Sequence, residues 1–288
     1  MTFLTDLFTP LVMGVLIGGL YALIAQGLSL VFGVMRLINV AHGDLVVFGT
    51  YFAYACLTML GIDPILSLVF GMPIMFAVGF AVQKFLMSRS FGISMEAPLI
   101  IAFGLSLVLQ NTDQIIWTPL SRGLNMPYCM YCFTVGEIYI PFAYFLDLVA
   151  ALVVMVILSL FLKKTYLGRA INAASQNKKG ALLMGIDTNR VYAVTFGIAT
   201  ATAAVAGVFL GLTFPFSPTT GISFLIISFG VIVVGGMGSM LGTFIGGIIL
   251  GLSQTLGGHF FSDAAQMLVA YLVVLIALSI KPQGLFGR

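Results

Sequence analysis

Apolar runs of membrane-spanning length recur along most of the chain. A transmembrane helix needs about 20 consecutive, mostly apolar residues, and residues 7–30, 65–85 and 142–162 meet that requirement. Of the 288 residues, 60% are hydrophobic and 7% are charged, whereas soluble domains carry roughly 25% charged residues. The runs are continuous and do not alternate with polar residues, as the strands of an outer-membrane barrel would. The sequence therefore predicts an all-α, polytopic transmembrane helical bundle.

Glycine, proline and polar residues divide this bundle into about eight or nine spans within a single transmembrane domain, residues 1–288. The expected spans are residues 7–30, 45–60, 65–85, 95–117, 142–162, 191–213 and 264–280. Two shorter apolar runs lie between the last two of these spans: residues 222–234, and a second run that ends at about residue 256. The shorter runs flank the glycine-rich joint GGMGSMLG, residues 235–242. Each is near or below spanning length, which is typical of broken helices buried inside a membrane protein.

A faint internal repeat relates two parts of the chain. Residues 21–54 contain an apolar run, a polar joint with glycine and a second apolar run, and residues 222–256 follow the same order. This pattern predicts two loosely repeated halves. Paired interrupted segments point to a transport path at the interface between such halves.

Positive charge is concentrated in residues 163–190. This stretch holds six of the twelve Lys and Arg residues and one anion, Asp187. Moving it across a bilayer would cost on the order of 15 to 20 kcal/mol, so we expect it to stay in the cytoplasm. Nine crossings place every Lys and Arg except Arg122 on the cytoplasmic side, together with the C-terminus, and place the N-terminus outside. Eight crossings with one re-entrant segment would move the N-terminus to the cytoplasmic side. The charge reports orientation and indicates no nucleic-acid partner.

The same basic stretch contains a short apolar turn. Good helix formers fill residues 169–177, Gly180 interrupts them, and Gly185 ends the turn. The apolar residues around it are Ala181, Leu182, Leu183, Met184 and Ile186. One interpretation is an orientation signal that lies on anionic lipid headgroups. The other is a short helix that docks a cytosolic partner, which the apolar turn favours because an orientation signal needs charge only.

A polar joint, residues 32–44, separates the first two apolar runs. Its polar side chains are Arg36, Asn39, His42 and Asp44, and Gln26 lies near the inner end of the preceding run. At a helix break these groups could hydrogen-bond to a polar solute. The alternative is a cytoplasmic turn marked by Arg36 and Asp44, with His42 capping a helix. Because Arg36 must reach water, we expect the joint near the inner face, as a turn or gate.

Motifs of enzymes and metal sites are missing from the sequence. There is no Walker A motif, no HExxH and no GxSxG, so we predict no ATP hydrolysis by the Walker route, no catalytic residue, no cofactor and no metal. Ser29 and His42 are the one conceivable pair of nucleophile and base. Cys129 and Cys132 share a loop without a second Cys or His pair, which favours a disulfide or two idle thiols over zinc.

Three stretches carry a family resemblance: GLYALIAQGLSLVFGVMRLINVAHGD, YLGRAINAASQNKKGALLMGIDTNRVYAVTF and the ending IKPQGLFG. They contain an N-A-H-G-[DE] pattern at Asn39, Ala41, His42, Gly43 and Asp44. They also contain an LGR…A…N…A…GI…R pattern at Leu167, Gly168, Arg169, Ala173, Asn177, Ala181, Gly185, Ile186 and Arg190. Together with the glycine-rich joint, these stretches resemble the LivH-type permease of branched-chain amino-acid ABC importers over most of the chain.

The resemblance implies a transmembrane permease subunit in the bacterial inner membrane. Its partners would be a second, homologous permease, two cytosolic ATP-binding subunits, a periplasmic solute-binding protein and membrane lipid. Residues 163–190 would contain the coupling helix, and the expected ATPase contacts are Arg169, Asn177, Ala181, Leu182, Leu183, Gly185 and Asp187. For the solute path the expected residues are Gln26, Asn39, His42 and Asp44.

The resemblance leaves the solute open, because the same family serves urea and short amides as well as branched-chain amino acids. The Cys-x-x-Cys loop is a departure from the patterns that carry the resemblance. A rival from another class is a secondary transporter or channel that acts alone. Ion coupling usually needs buried acids, and the candidates Asp44, Asp113 and Asp147 each lie near the end of a span, which weakens this rival.

Overall fold

The computed structural model describes residues 2–90, 96–135 and 138–287, and α-helices dominate this part of the chain. The helices are α1 (Thr2–Met35), α2 (His42–Leu60), α3 (Pro64–Phe85), α4 (Ala97–Trp117), α5 (Phe142–Lys164), α6 (Tyr166–Gln176), α7 (Lys178–Leu183), α8 (Thr188–Thr213), α9 (Thr220–Gly235), α10 (Met240–Phe260) and α11 (Gln266–Ile280). Strands β1 (Cys132–Val135) and β2 (Ile138–Pro141) form an antiparallel hairpin.

Eight helices within the described residues are long and apolar enough to cross a membrane. They are α1 to α5, α8, α10 and the segment Asp263–Ile280, which ends in α11. Helix α9 has 16 residues and is shorter than a usual span. The prediction of an all-α transmembrane bundle with eight or nine spans and a broken helix is confirmed.

Several boundaries differ from the sequence prediction. Helix α1 continues to Met35, because the residues after position 30 are still apolar and the first break in the helix is Arg36, which has a positive φ of 52°. The predicted short run before position 256 is a full span, α10, of 21 residues. The hydroxyl groups near its end have main-chain acceptors: Ser253 donates to the Ile249 carbonyl, and Thr255 donates to the Pro10 carbonyl on α1 at 2.8 Å. The predicted start of the fourth span at Met95 lies outside the described residues.

The two interrupted regions of the sequence lie against each other through α1 and α10, which pack extensively. These helices run antiparallel: Gly33 near the end of α1 faces Gly238 just before α10, and Gly14 faces Leu252. Small residues allow such close approach of transmembrane helices. Near the Gly33 end of the contact, Thr243 Oγ1 donates to Ser29 Oγ at 2.7 Å.

Helix α8 forms the centre of the other side of the bundle. It is rich in Ala, Gly and Thr, and almost all of it after Asn189 and Arg190 is buried. Thr200 Oγ1 donates to the Met75 carbonyl on α3, and Thr50 Oγ1 on α2 donates to the Gly207 carbonyl, both at 2.8 Å. The small side chains of α8 therefore let α2 and α3 pack directly on it.

The two ends of the bundle are built differently. At one end, Arg122 and Phe216 exchange main-chain hydrogen bonds of 2.8 Å, which fastens the long loop before α5 to the loop after α8. At the other end, Leu285 donates its N–H to the Val234 carbonyl at 2.9 Å, so the C-terminal segment closes on the end of α9. Helices α6 and α7 share this second end, where they pack beside the end of α1.

The long loop before α5 is more ordered than the sequence indicated. It includes the β1–β2 hairpin, with Cys132 paired opposite Pro141. Cys129 and Cys132, for which the sequence left a disulfide or idle thiols open, are unbridged thiols, and Cys56 is a buried thiol on α2.

Candidate functional site

The joint between α1 and α2 turns back into the bundle. Arg36 is exposed, but Asn39 and His42 are each only 1% exposed. His42 Nε2 lies 2.9 Å from the carbonyl oxygen of Ile24, which at 1.5 Å per residue is roughly 16 Å back along α1 from its end. Helix α2 therefore begins inside the bundle. The alternative of a cytoplasmic turn marked by both Arg36 and Asp44 is wrong, because Asp44 is buried.

The first turns of α2 and α9 meet inside the bundle. A side-chain carbon at Gly43 would overlap the carbonyl oxygen of Gly221, and one at Gly221 would lie 2.5 Å from Asp44 Oδ1. Glycine is needed at both positions for the backbones to approach this closely. Helix N-termini carry unpaired N–H groups and partial positive charge. Converging ends of broken helices form binding sites in many transporters.

Asp44 joins α2 to α4 through a buried polar cluster. Ser106 Oγ and Gln110 Nε2 both donate to the Asp44 carboxylate, Gln110 at 3.0 Å. Ser106 and Gln110 are one turn apart on α4, and Asp113 follows on the same face. All of these side chains are buried. The sequence prediction missed Ser106 and Gln110, although their spacing with Asp113 forms a polar stripe within an otherwise apolar span.

The four residues predicted for the solute path do not form one cluster. Gln26 is fully buried and donates through Nε2 to the Ala151 carbonyl of α5 at 2.9 Å. Asn39 accepts a hydrogen bond from the Ala41 N–H at 3.2 Å within the joint. His42 thus bonds to α1, Asp44 to α4 and Gln26 to α5. Each of them fastens a different pair of elements around the start of α2.

The conceivable nucleophile and base, Ser29 and His42, have other partners. Ser29 Oγ accepts a hydrogen bond from Thr243, and His42 bonds to the Ile24 carbonyl. No hydrogen bond joins the two side chains in the described chain. Their arrangement therefore gives no support to nucleophilic chemistry, which requires the base within hydrogen-bond reach of the nucleophile.

The three intramembrane acids are buried although each lies near a helix end. Asp44 and Asp113 are 2% exposed and Asp147 is 0% exposed. Thr213 Oγ1 donates to Asp147 Oδ2 at 2.8 Å. Within the described residues, no Lys or Arg approaches these acids within the 4.0 Å of an ion pair. Nearness to a helix end therefore does not expose them, and burial alone does not separate a secondary transporter from a permease.

Residues 163–190 contain two short helices with defined ends, α6 and α7, between the end of α5 and the start of α8. Asn177 begins α7, because its Oδ1 accepts the Gly180 N–H at 2.9 Å. The predicted break at Gly180 is therefore displaced to Asn177. Gly185 has a φ of +79° and closes the turn after α7, and Asp187 caps α8 by accepting two main-chain N–H groups.

The apolar residues of this segment divide by exposure. Ala181 is 5% exposed and packs into the cluster that holds α6 and α7 to the bundle. Leu182, Leu183 and Met184 are 51%, 87% and 82% exposed. The other predicted contact residues are also exposed, namely Arg169, Asn177, Gly185 and Asp187. A rigidly held apolar patch surrounded by polar residues is typical of a protein interaction site.

A basic cavity of about 320 Å³ lies between this segment and the end of α1. Arg36, Lys178, Lys179 and Tyr192 contribute to its walls. Lys178 Nζ lies 5.5 Å from the ring centroid of Tyr192. The start of the joint and the basic segment therefore share one surface.

Comparison with known proteins identifies the family. The family described as branched-chain amino acid transport system / permease component matches residues 11–278. The chain is 34% identical to BraD of Pseudomonas aeruginosa, a high-affinity branched-chain amino acid transport system permease protein, over 96% of this chain and 95% of BraD. It is 33% identical to the permease protein LivH of Escherichia coli K12 over 96% of this chain and 94% of LivH.

A more distant relative has another solute in its name. The ribose import permease protein RbsC of Bacillus subtilis is 30% identical over 76% of this chain and 68% of RbsC. The match to the family covers most of the chain, including the joint, α6, α7 and the α9–α10 region. The protein is therefore a membrane permease that belongs to the branched-chain amino acid transport system / permease component family.

Proposed function

We propose that the protein is the transmembrane permease subunit of an ABC importer for branched-chain, hydrophobic amino acids. The observation that carries the proposal is its similarity, over 96% of the chain, to two permeases named for branched-chain amino acid transport. In this proposal the chain is one permease domain and forms half of the translocation path. A second homologous permease, two cytosolic ATP-binding subunits and a periplasmic solute-binding protein complete the assembly.

The coupling role belongs to residues 163–190 in this proposal. An ATPase can transmit its closure only through an element that is both exposed and stiff. The caps at Asn177 and Asp187 stiffen the segment, and the exposure of Leu182 and Leu183 supports docking. The proposed contact residues are Arg169, Asn177, Ala181, Leu182, Leu183, Gly185 and Asp187. Ala181 would act from beneath the patch, since it is buried.

The start of α2 is the proposed moving part of the solute path. The residues of this region are at most 2% exposed, namely Gln26, Asn39, His42 and Asp44. Gln26 bonds α1 to α5, His42 bonds α2 to α1, and Asp44 bonds α2 to α4. We infer that they set the shape of the path at the meeting point of α2 and α9. Replacing His42 by Gln should change the uptake kinetics; kinetics identical to the wild type would leave His42 a purely structural residue.

The proposed orientation follows from charge. The end with α6, α7 and the C-terminal segment carries Arg36, Lys281 and the basic residues 163–190 and is assigned to the cytoplasm. The end with Arg122 is assigned to the periplasm. Exposed apolar side chains along α3, α4 and α5 would face membrane lipid or the second permease.

Solute competition tests the proposed function. The complete importer, purified with its binding protein and ATPases, is placed in liposomes with radiolabelled leucine outside and ATP at the ATPase side. We expect excess isoleucine or valine to suppress uptake, and urea, acetamide and ribose to leave it unchanged. Suppression by urea, acetamide or ribose, with none by valine, would contradict the proposed solute class.

A further inference from the structure

A cavity at the proposed periplasmic end has no part in the function described so far. Its volume is about 570 Å³. The walls come from α2, the loop before α5, and the end of α8 with the residues that follow it. The lining includes Tyr54, Ser121, Arg122, Leu212, Phe214 and Pro215.

Arg122 is held in one position on the wall of this cavity. Its main chain is bonded in both directions to Phe216. Its guanidinium donates to Tyr54 Oη at 2.7 Å and to the Trp117 carbonyl at 2.6 Å. The guanidinium carbon also lies 5.1 Å from the ring centroid of Tyr54 and 6.0 Å from that of Trp117. A guanidinium fixed in this way loses little further conformational freedom when it binds a ligand.

The charge of Arg122 is not neutralised by a nearby carboxylate. Among the residues that the structure describes, no Asp or Glu oxygen comes within the 4.0 Å of an ion pair with Arg122. Arg122 Nε is buried and has no hydrogen-bond partner in that set. A buried donor without a partner is unfavourable, and more so for a charged group. The bond to Tyr54 uses one of the two N–H groups on Nη1, so the guanidinium keeps a donor for an anion that enters the cavity.

The rest of the lining limits the kind of anion. Leu212, Phe214 and Pro215 are apolar and Tyr54 adds an aromatic face, while Ser121, Asn125 and Thr213 contribute polar groups. Phosphate or another strongly hydrated inorganic anion would gain nothing from the apolar part of these walls. A carboxylate attached to a small apolar group matches both parts of the cavity, because the charge can meet Arg122 while the apolar group leaves water.

We propose that this cavity is a periplasmic vestibule site that binds an apolar amino acid, with Arg122 holding the α-carboxylate. The proposal rests on the proposed function for the identity of the solute and adds the residue that selects its carboxylate. It also explains why Arg122, unlike every other Lys and Arg, lies at the proposed periplasmic end: its charge binds the ligand there.

Direct binding to the assembled importer tests the proposal. Radiolabelled leucine is bound at equilibrium to the permease–ATPase complex in nanodiscs without the solute-binding protein. The competitors are 4-methylpentanoate, which is leucine without its ammonium group, and isopentylamine, which is leucine without its carboxylate. We expect 4-methylpentanoate to compete and isopentylamine not to compete. Equal competition by the two compounds, or no leucine binding by a complex that transports leucine, would overturn the proposal.

Variants in the same preparation assign the effect to Arg122. Loss of charge-assisted hydrogen bonds in Arg122→Gln should weaken leucine binding by about 10- to 100-fold, and Arg122→Lys should weaken it less. The control Met130→Ala, at an exposed side chain outside the cavity lining, should bind like the wild type. Docking of the loaded binding protein is measured in parallel. Unchanged leucine affinity in Arg122→Gln would refute the proposal, and so would lost docking without lost leucine affinity, because Arg122 would then serve the partner protein.

These results are separable from the proposed function. Leucine uptake by the wild-type complex in liposomes tests the function and does not depend on Arg122. If the wild type transports leucine but its binding does not discriminate the two analogues, only the vestibule site fails. If the wild type transports no branched-chain amino acid but 4-methylpentanoate still binds through Arg122, the function fails and the carboxylate site stands.

Discussion

Gly43 and Gly221 bring the first turns of α2 and α9 together, and a hydrogen atom is the only side chain that fits at either position. The Asp44 carboxylate lies beside the same contact and is held by Ser106 and Gln110. The geometry of the proposed path thus depends on single residues whose side chains are very small or fully hydrogen-bonded. Substitution there should displace α2 without altering the apolar character of the bundle.

Gly43→Ala should destabilise the protein and impair transport, because its methyl group would overlap the Gly221 carbonyl oxygen. We expect a loss of about 1–3 kcal/mol, seen as a lower midpoint of thermal unfolding in detergent. The matched control is Gly104→Ala on α4, where no atom lies within 4 Å of the added carbon. Equal midpoints for the two variants would contradict the close contact of α2 with α9.

At the scale of elements, the α6–α7 segment combines firm attachment with an exposed apolar patch. Its caps and the buried Ala181 fix it to the bundle, and Leu183 is 87% exposed. The neighbouring basic cavity connects it to Arg36 at the start of the joint. The arrangement suits an element that receives force from one side and passes it to α1 and α2 on the other.

Leu183→Glu should uncouple transport from ATP hydrolysis while leaving the protein folded, since the side chain contributes little to the core. Placing a charge in an apolar contact should cost about 2 kcal/mol of docking free energy, roughly 30-fold in the affinity for the ATPase. Copurification with the ATPase and leucine uptake per ATP hydrolysed measure the effect. Met130→Glu is the control, because Met130 is 80% exposed at the opposite end. Wild-type coupling in Leu183→Glu would refute the docking role.

The sequence predicted the existence of most helices but not the depth at which α2 begins. Long apolar runs determine spans by length and composition, and the helices α3, α5 and α8 end within a few residues of their predicted bounds. The sequence prediction places the whole joint near the inner face, because the charged Arg36 must reach water. Arg36 is exposed, but Asp44, eight residues later, is buried. Only tertiary contacts, such as His42 with Ile24, show that the chain turns back inward.

The polar cluster and the cavity could be predicted only in part. The spacing of Ser106, Gln110 and Asp113 along α4 is readable from sequence, but their partner Asp44 is not, because it lies more than sixty residues earlier. The sequence alone shows Arg122 as the exception, because it is the one cation that the predicted topology places outside the cytoplasm. Its fixed geometry needed the contacts with Tyr54 and Trp117, which no local pattern encodes.

At the scale of the whole molecule, the two ends carry different chemistry. The proposed cytoplasmic end is basic and has the exposed patch of α7, while the proposed periplasmic end has the β-hairpin, the thiols Cys129 and Cys132, and the Arg122 cavity. In the proposed account, solute selection and energy input are therefore separated by the length of the bundle, and the joint and α2 lie between them.

Labelling of thiols from outside the cell should report this orientation. Cys132 is exposed, and burial raises the pKa of the Cys129 thiol. In permeabilised outer membranes, an impermeant maleimide should therefore label Cys129→Ala, which retains Cys132, rapidly at neutral pH. It should label Cys132→Ala slowly, at a rate that increases with pH because only the thiolate reacts.

A matched variant reports the proposed cytoplasmic end: Lys178→Cys on α7, in a chain without Cys129 and Cys132. We expect no labelling of this variant from outside, and labelling only after the inner membrane is opened. Labelling of Lys178→Cys in intact cells, or protection of Cys132, would reverse the assigned orientation and remove the basis for docking an ATPase at α7.

The central claim is that this chain moves solute only when a cytosolic ATPase drives it. The most direct measurement is leucine uptake into liposomes that contain either the chain alone or the complete importer, each tested with ATP at the ATPase side and with an imposed proton or sodium gradient. We predict uptake only by the complete importer and only with ATP. Uptake by the chain alone, driven by an ion gradient, would contradict the account.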